Sequence, residues 1–467
     1  MIGRRHGLTE AAIGSMLAVS LLSACSDAGK SSGHPKPPER SKQPALAKLA
    51  LPSGYDASRG WDAELAWLPA KVGSIPVTPV KSGGVGLLQT ASGGYSVRVH
   101  EGATGAVRWS GKPWTPPAEV SGAEGDGSEP AEIPDVIAVT AGDREYLVAW
   151  AHGMQGKDQL HNGREVVALV AYPADSRGQE VAPAREIFVP VSADPGQVHV
   201  SGADGSLLVS WGGDGLYGTS AATVNLSTGT VTAFGKADGL LPQCADTTGC
   251  SGSMVMSATS QGPVVSMGSG GFGVPGGWLS SSVKPDGVST KSGFLGASNG
   301  RAYGVSGTNL LASWRTGEYG DGTPVWAVHD TASGRILAQM ACAAKESSGS
   351  AGNSYAVVSS LNGRYLAAGP VAFDLESKEG VCLQGDGNRK TINVASISDA
   401  GVAYGAVEAA DASGSSGPVV AEVVLKTGAS SVLKAGTEVP ISHAGDSGLL
   451  VRRDEAGQVQ VCLRRMR

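Results

Sequence analysis

Beyond about residue 60 the chain shows no sustained 3.6-residue apolar period. Short apolar runs of four to eight residues alternate instead with turn signals, the pattern of half-buried and fully buried strands. Turns built on an acidic or polar residue and a following glycine recur at His100–Gly105, Tyr172–Gly178, Asn225–Gly229, Lys284–Gly287, Asp330–Gly334, Asp374–Gly380, Leu425–Gly428 and Asp454–Gly457. A second ladder runs in step: Leu147-Val-Ala-Trp150, Leu208-Val-Ser-Trp211, Val264-Val-Ser-Met267 and Leu311-Ala-Ser-Trp314 read as equivalent strand ends, 61, 56 and 47 residues apart. Two independent markers sharing one period near 50 indicate an internal repeat. Four short strands per repeat, closed into a ring, is the arrangement that leaves few exposed sheet edges. The expectation is an all-β protein, a β-propeller of eight four-stranded blades with seven as the alternative. The final interval, between Gly428 and Gly457, is short, so the last blade is expected to lack a strand at the C-terminus and to be completed by an N-terminal one within Ala63–Pro69.

Composition sharpens this picture. Glycine supplies 69 of the 467 residues, which argues against long helices, because each interior glycine costs a helix about 1 kcal/mol. Hydrophobic residues make up 41%, enough for a core, and the formal net charge of -6 with no basic run disfavours nucleic acid as a partner.

The N-terminus carries separate information. Arg4 and Arg5 precede a twelve-residue apolar run, Ala11–Leu22, too short to span a bilayer, followed by Leu22-Ser23-Ala24-Cys25. That tetrad resembles the lipobox of bacterial lipoproteins. The resemblance implies cleavage before Cys25, acylation of its sulfur, and an exported, membrane-anchored protein held at the extracytoplasmic face. The domains expected are a signal peptide at 1–24, the lipidated cysteine and a Ser/Lys/Pro-rich linker at 25–58, and the propeller at 59–467. The run Val325-Trp-Ala-Val-His-Asp-Thr-Ala-Ser-Gly334-Arg-Ile-Leu-Ala338 resembles the repeat unit of quinoprotein-like (PQQ-like, WD40-like) propellers, with Asp330 and Gly334 in place and the closing tryptophan missing. This resemblance implies a fold and no bound quinone, and no cofactor is expected.

In an antiparallel four-stranded blade, second-to-third-strand loops and blade-to-blade crossovers share one end. The long segments fall in those classes: 151–164, 212–221, 268–277, 315–324 and 409–418 as loops, 111–134, 235–253 and 341–353 as crossovers. A binding face is therefore expected there, with Trp114, His161, Tyr217, Phe272, Trp278, Arg315 and Tyr319 as its candidates, since scaffolded loops concentrate function. The partner expected is a protein or a cell-envelope component. The alternative is a propeller-type enzyme, a lyase, lactonase or quinoprotein, with a site at the channel mouth.

Of six cysteines, Cys25 goes to lipid; Cys244 with Cys250 and Cys342 with Cys382 are the expected disulfides, leaving Cys462 buried in the last blade, with its pairing to Cys342 or Cys382 as the alternative. No CxxC or paired histidine offers a zinc ligand set. Gly268–Gly273 matches GxGxxG but is followed by Val274-Pro-Gly-Gly, a poor helix start, and reads as a loop. Asp446-Ser447-Gly448 resembles a serine-protease motif without its partners and reads as a turn. Acidic glycine turns at Asp126–Glu129, Glu318–Asp321 and Asp386–Asn388 lack calcium-loop spacing. No catalytic residue is assigned.

Overall fold

The computed structural model describes residues 46–118, 132–193, 195–203, 205–213, 217–240, 253–267, 270–288, 300–317, 322–344, 355–386, 388–408, 419–454 and 456–467. Their strands form eight sheets. Blade 1 comprises Val77–Val80, Gly84–Ala91, Gly94–Glu101 and Val107–Gly111. Blade 2 comprises Asp135–Ala141, Arg144–Gln155, Arg164–Pro173 and Arg185–Pro190. Blade 3 runs from Gln197–Ala203 to Val231–Phe234, and blade 4 shows Met254–Thr259, Gly262–Ser266 and Phe272–Gly273 among the described residues. Blades 5, 6 and 7 begin with Arg301–Ser306, Val357–Ser359 and Ile392–Ile397. Blade 8 takes Ser442–Ala444, Ser447–Arg453 and Val459–Met466 from the C-terminus and Tyr55–Leu65 from the N-terminus. The innermost strands contact one another in sequence and Val77–Val80 meets Ser442–Ala444, which closes the ring.

The closing strand differs in position from the sequence expectation. It is Tyr55–Leu65 rather than a segment within Ala63–Pro69, paired antiparallel from Tyr55↔Met466 to Leu65↔Val459. The ordered wall therefore begins before residue 59, and residues 46–50 also dock on blade 8: Asp62 Oδ2 accepts the Ala47 amide at 2.6 Å, and the Glu438 amide donates to the Ala50 carbonyl at 2.7 Å. The short interval before Gly457 has a second origin. Asp454–Gly457 joins the second and third strands of blade 8, whereas the corresponding glycine turns of blades 1, 2, 3, 5, 6 and 7 lie between third and fourth strands.

Aliphatic clusters fill the seams around the ring, such as Val148, Leu169, Val189, Leu207 and Val209 between blades 2 and 3. The seam between blades 7 and 8 holds a polar aromatic group instead. The Tyr55 hydroxyl lies 2.8 Å from His443 Nε2, and Tyr404 donates to Glu422 at 3.2 Å. Gly448 makes room for it, because a Cβ there would lie 2.7 Å from the Tyr55 ring. This is the glycine of Asp446-Ser447-Gly448, and residues 445–446 form the expected turn between the first two strands.

Candidate functional site

The end of the ring where second strands meet third strands collects the long connections: 112–134, 156–163, 408–419 and 433–441 open there, while the first-to-second-strand turns at the other end are tight. One long connection at the tight end, 174–184, is accounted for by packing: Gly178–Val181 pairs in parallel with the outer strand of blade 1 and covers that edge.

Blade 2 dominates the long-connection end. Its second and third strands, 12 and 10 residues long, stay paired through Gln155↔Arg164, beyond the reach of both neighbouring strands. The first residues of the crossover from blade 1 bridge to this projecting arm, with Met154 donating to the Ala118 carbonyl at 2.6 Å and Ala118 donating back at 3.2 Å. The tip is locally ordered. Asp158 Oδ1 accepts the amides of Leu160 and His161, each at 2.7 Å, and the His161 ring beside it holds the Asp158 carboxyl below its ordinary value. Leu160 stands 89% exposed on this turn. At the base of the arm the His152 imidazole, with 8% of its side chain exposed, faces Glu165 through Nε2 at 3.2 Å and Glu132 through Nδ1 at 3.6 Å. The two carboxylates, Glu132 foremost, raise the His152 pKa above its usual value.

Of the seven face candidates, Trp114, Phe272 and Trp278 belong to the core and Tyr217 is half-buried against it, so none of these four is an open surface group. Trp114 is 7% exposed, paired through its backbone with Tyr95. Phe272 is fully buried edge-on to Trp278 and Trp314. Tyr217 reaches from its loop to the innermost strand of blade 5, where its oxygen accepts the Val305 amide at 3.2 Å, and burial raises its pKa. Trp278 lies flat on Gly334, where a Cβ would come within 2.5 Å of its ring, and its indole N–H donates to the Thr331 carbonyl at 3.0 Å. His161 and Arg315 are exposed, and Tyr319 lies outside the described residues. Cys342 and Cys382 form the expected disulfide, which staples blade 5 to blade 6; Cys462 is free and buried, its thiol pushed up to about 12 by burial and the neighbouring Asp62. Cys25, Cys244 and Cys250 lie outside the described residues.

The tryptophan absent from the blade 5 repeat is supplied by neighbouring blades. Trp61, Trp109 and Trp278 each donate an indole N–H to the carbonyl just past the next blade's third strand: Gly102 at 3.1 Å, Ala174 at 3.2 Å and Thr331 at 3.0 Å. In two of these docks a histidine completes the latch. His100 Nδ1 meets the Gly105 carbonyl at 2.8 Å under Trp61, and His329 Nδ1 meets that of Gly334 at 2.7 Å under Trp278. The signal was present in the sequence as the shared His-x-x-x-x-Gly spacing. The Glu132–His152–Glu165 group had no such signal, because Glu132 comes from a crossover whose path no spacing specifies.

The ring of radially packed four-stranded sheets, closed by a shared blade, defines a β-propeller. No protein-family model matches the chain, and no curated protein matches it. Solved structures with some likeness include an uncharacterized protein from Listeria monocytogenes EGD-e (8% identity, TM-score 0.33, covering 78% of this chain and 95% of that one). Another is the PQQ-bound form of an aldose sugar dehydrogenase from Streptomyces coelicolor (11% identity, TM-score 0.30, 88% and 99%). A third is the Dos1 propeller (9% identity, TM-score 0.28, 82% and 74%). At these scores the likenesses carry nothing about ligand or chemistry.

Proposed function

We propose that this protein is an exported lipoprotein, anchored through Cys25, whose propeller binds a protein or cell-envelope partner with its long-connection face. The observation that carries the binding half is the blade 2 arm: a hairpin extended past its own sheet, with a locally braced tip that holds Leu160 in solvent. A pre-ordered apolar group at the end of a rigid element loses little entropy on docking, which is how an anchor gains affinity. The anchoring half rests on the Leu22-Ser-Ala-Cys25 tetrad behind a charged and apolar leader.

A photo-crosslinking residue placed at position 160 should give a discrete adduct in cells, while one at Asp143, in the opposite end's turns, should not. Leu160→Glu, combined with crosslinkers on adjacent tip positions, should abolish the adduct without changing thermal stability. Equal adducts from both ends, or adducts indifferent to Leu160→Glu, would overturn the face assignment. Cys25→Ala should move the protein from the membrane fraction to the soluble one; continued retention would overturn the anchor.

A further inference from the structure

The Glu132–His152–Glu165 group ties together two pieces of chain that share no backbone pairing. Glu132 lies on the returning end of the crossover, three residues before the innermost strand of blade 2; Glu165 starts the third strand; His152 sits on the second. The imidazole is sealed off, while Glu132 keeps 71% of its side chain exposed and Glu165 only 12%. Both ring nitrogens face carboxylate oxygens. A neutral imidazole carries one N–H and no charge; the imidazolium carries two, so it can hydrogen-bond Glu165 through Nε2 at 3.2 Å and attract Glu132 as an ion pair through Nδ1 at 3.6 Å. With one proton, the second nitrogen would present a lone pair to a carboxylate, which is repulsive.

We infer that His152 is a proton-operated clasp on the long-connection face: doubly protonated, it holds the crossover's returning end to the arm, and loss of a proton releases Glu132. Glu132 is the partner released because its contact is longer and solvent can take up its charge, whereas the Glu165 carboxylate is enclosed. Among the described residues, Glu132 on the crossover and Glu165 on the third strand are the charged groups acting on the ring, and Pro117 and Ala118, which pack over Gly153 beside it, carry no charge. The histidine's raised pKa agrees with the geometry in sign. The clasp is complete below the unfolded-state value of about 6.5 and is lost as pH rises through the higher folded value. The crossover's other end is held by backbone bonds to Met154, which do not titrate in this range, so the change is confined to the segment leading into Asp135.

The test uses the full chain and three variants, Glu132→Gln, Glu165→Gln and His152→Gln. Comparison with the His152→Gln spectrum assigns the His152 ring signals in an NMR titration. Glu132→Gln and Glu165→Gln should each move the His152 midpoint downward. Hydrogen exchange of the 132–137 peptide should be faster in Glu132→Gln than in the wild type on the acid side of the wild-type midpoint and equal on the alkaline side. A midpoint unmoved by Glu132→Gln, or an exchange difference equal at every pH, would overturn the clasp. Glu132 is exposed, so its variant keeps the fold. None of these readouts involves a partner, so they stand or fail independently of the proposed binding role.

Discussion

At the scale of single residues, the turns between third and fourth strands place one position in the left-handed region. Gly105, Gly334 and Lys378 occupy it, with φ of 71°, 72° and 62°. Lys378 is the residue that accepts the strain, since a side chain there costs roughly 1–2 kcal/mol relative to ordinary helical geometry. Lys378→Gly should raise stability by up to about 1 kcal/mol, measurable by denaturant unfolding. Gly334→Ala should act in the opposite direction and more strongly, because a Cβ would strike the Trp278 ring as well as strain the backbone. An unchanged unfolding midpoint in that variant would argue against the docked indole. The two deeply buried histidines add a pH dependence of opposite sign to that of His152. Burial depresses His329 and His443 to about 4, so both stay neutral in the fold while the unfolded chain takes up protons near 6.5. Stability should therefore be fully present above about pH 6.5 and fall as pH drops toward 4, and His329→Gln should flatten that slope in thermal melts.

At the scale of elements, the closing strand is held by more than its ladder. Arg464, fully buried on the C-terminal strand, donates to both carboxylate oxygens of Asp62 at 2.6 and 3.2 Å and to the Ala47 carbonyl at 3.1 Å. Asp62 is in turn kept ionised by this partner and by the Ala47 amide, against the opposing effect of burial. Removing one member of such a pair leaves a buried charge uncompensated, which costs more than the pair itself contributes. Asp62→Ala should destabilise the ring by roughly 3 kcal/mol, while Tyr55→Phe, which deletes one hydroxyl at the blade 7–8 seam, should cost on the order of 1 kcal/mol. Equal losses from the two substitutions, measured by chemical denaturation, would show that the ion pair does not dominate closure.

At the scale of the whole molecule, the ring is one compact unit closed once by chain pairing and stapled once by the described disulfide. Cys342 and Cys382 lie 40 positions apart, and such a loop restricts the unfolded chain by about 4 kcal/mol in the chain-entropy account. The Cys342→Ser, Cys382→Ser double variant should therefore melt earlier, with the loss not exceeding that figure, and a variant of unchanged stability would assign the bond no structural weight. The same closed ring explains why three expected face residues are buried and a fourth is half-buried. Trp114, Phe272 and Trp278 pack into the hydrophobic clusters between strands, and Tyr217 packs against one of them, because large aromatic rings gain most from burial.

What the amino-acid order determined alone was the repeat, its strand count, the need for a borrowed strand and the end of the ring that gathers the long connections. Each of these follows from local alternation and turn chemistry, which read the same in any surroundings. Tertiary structure decided what local patterns leave open. It set the start of the closing strand at Tyr55 rather than Ala63, because register is chosen by the partner strand and by the Arg464–Asp62 pair. It sent aromatic loop residues inward and left Leu160 outside. It brought Glu132, His152 and Glu165 together across a crossover, since a proton can be shared only between groups that the folded ring has made neighbours.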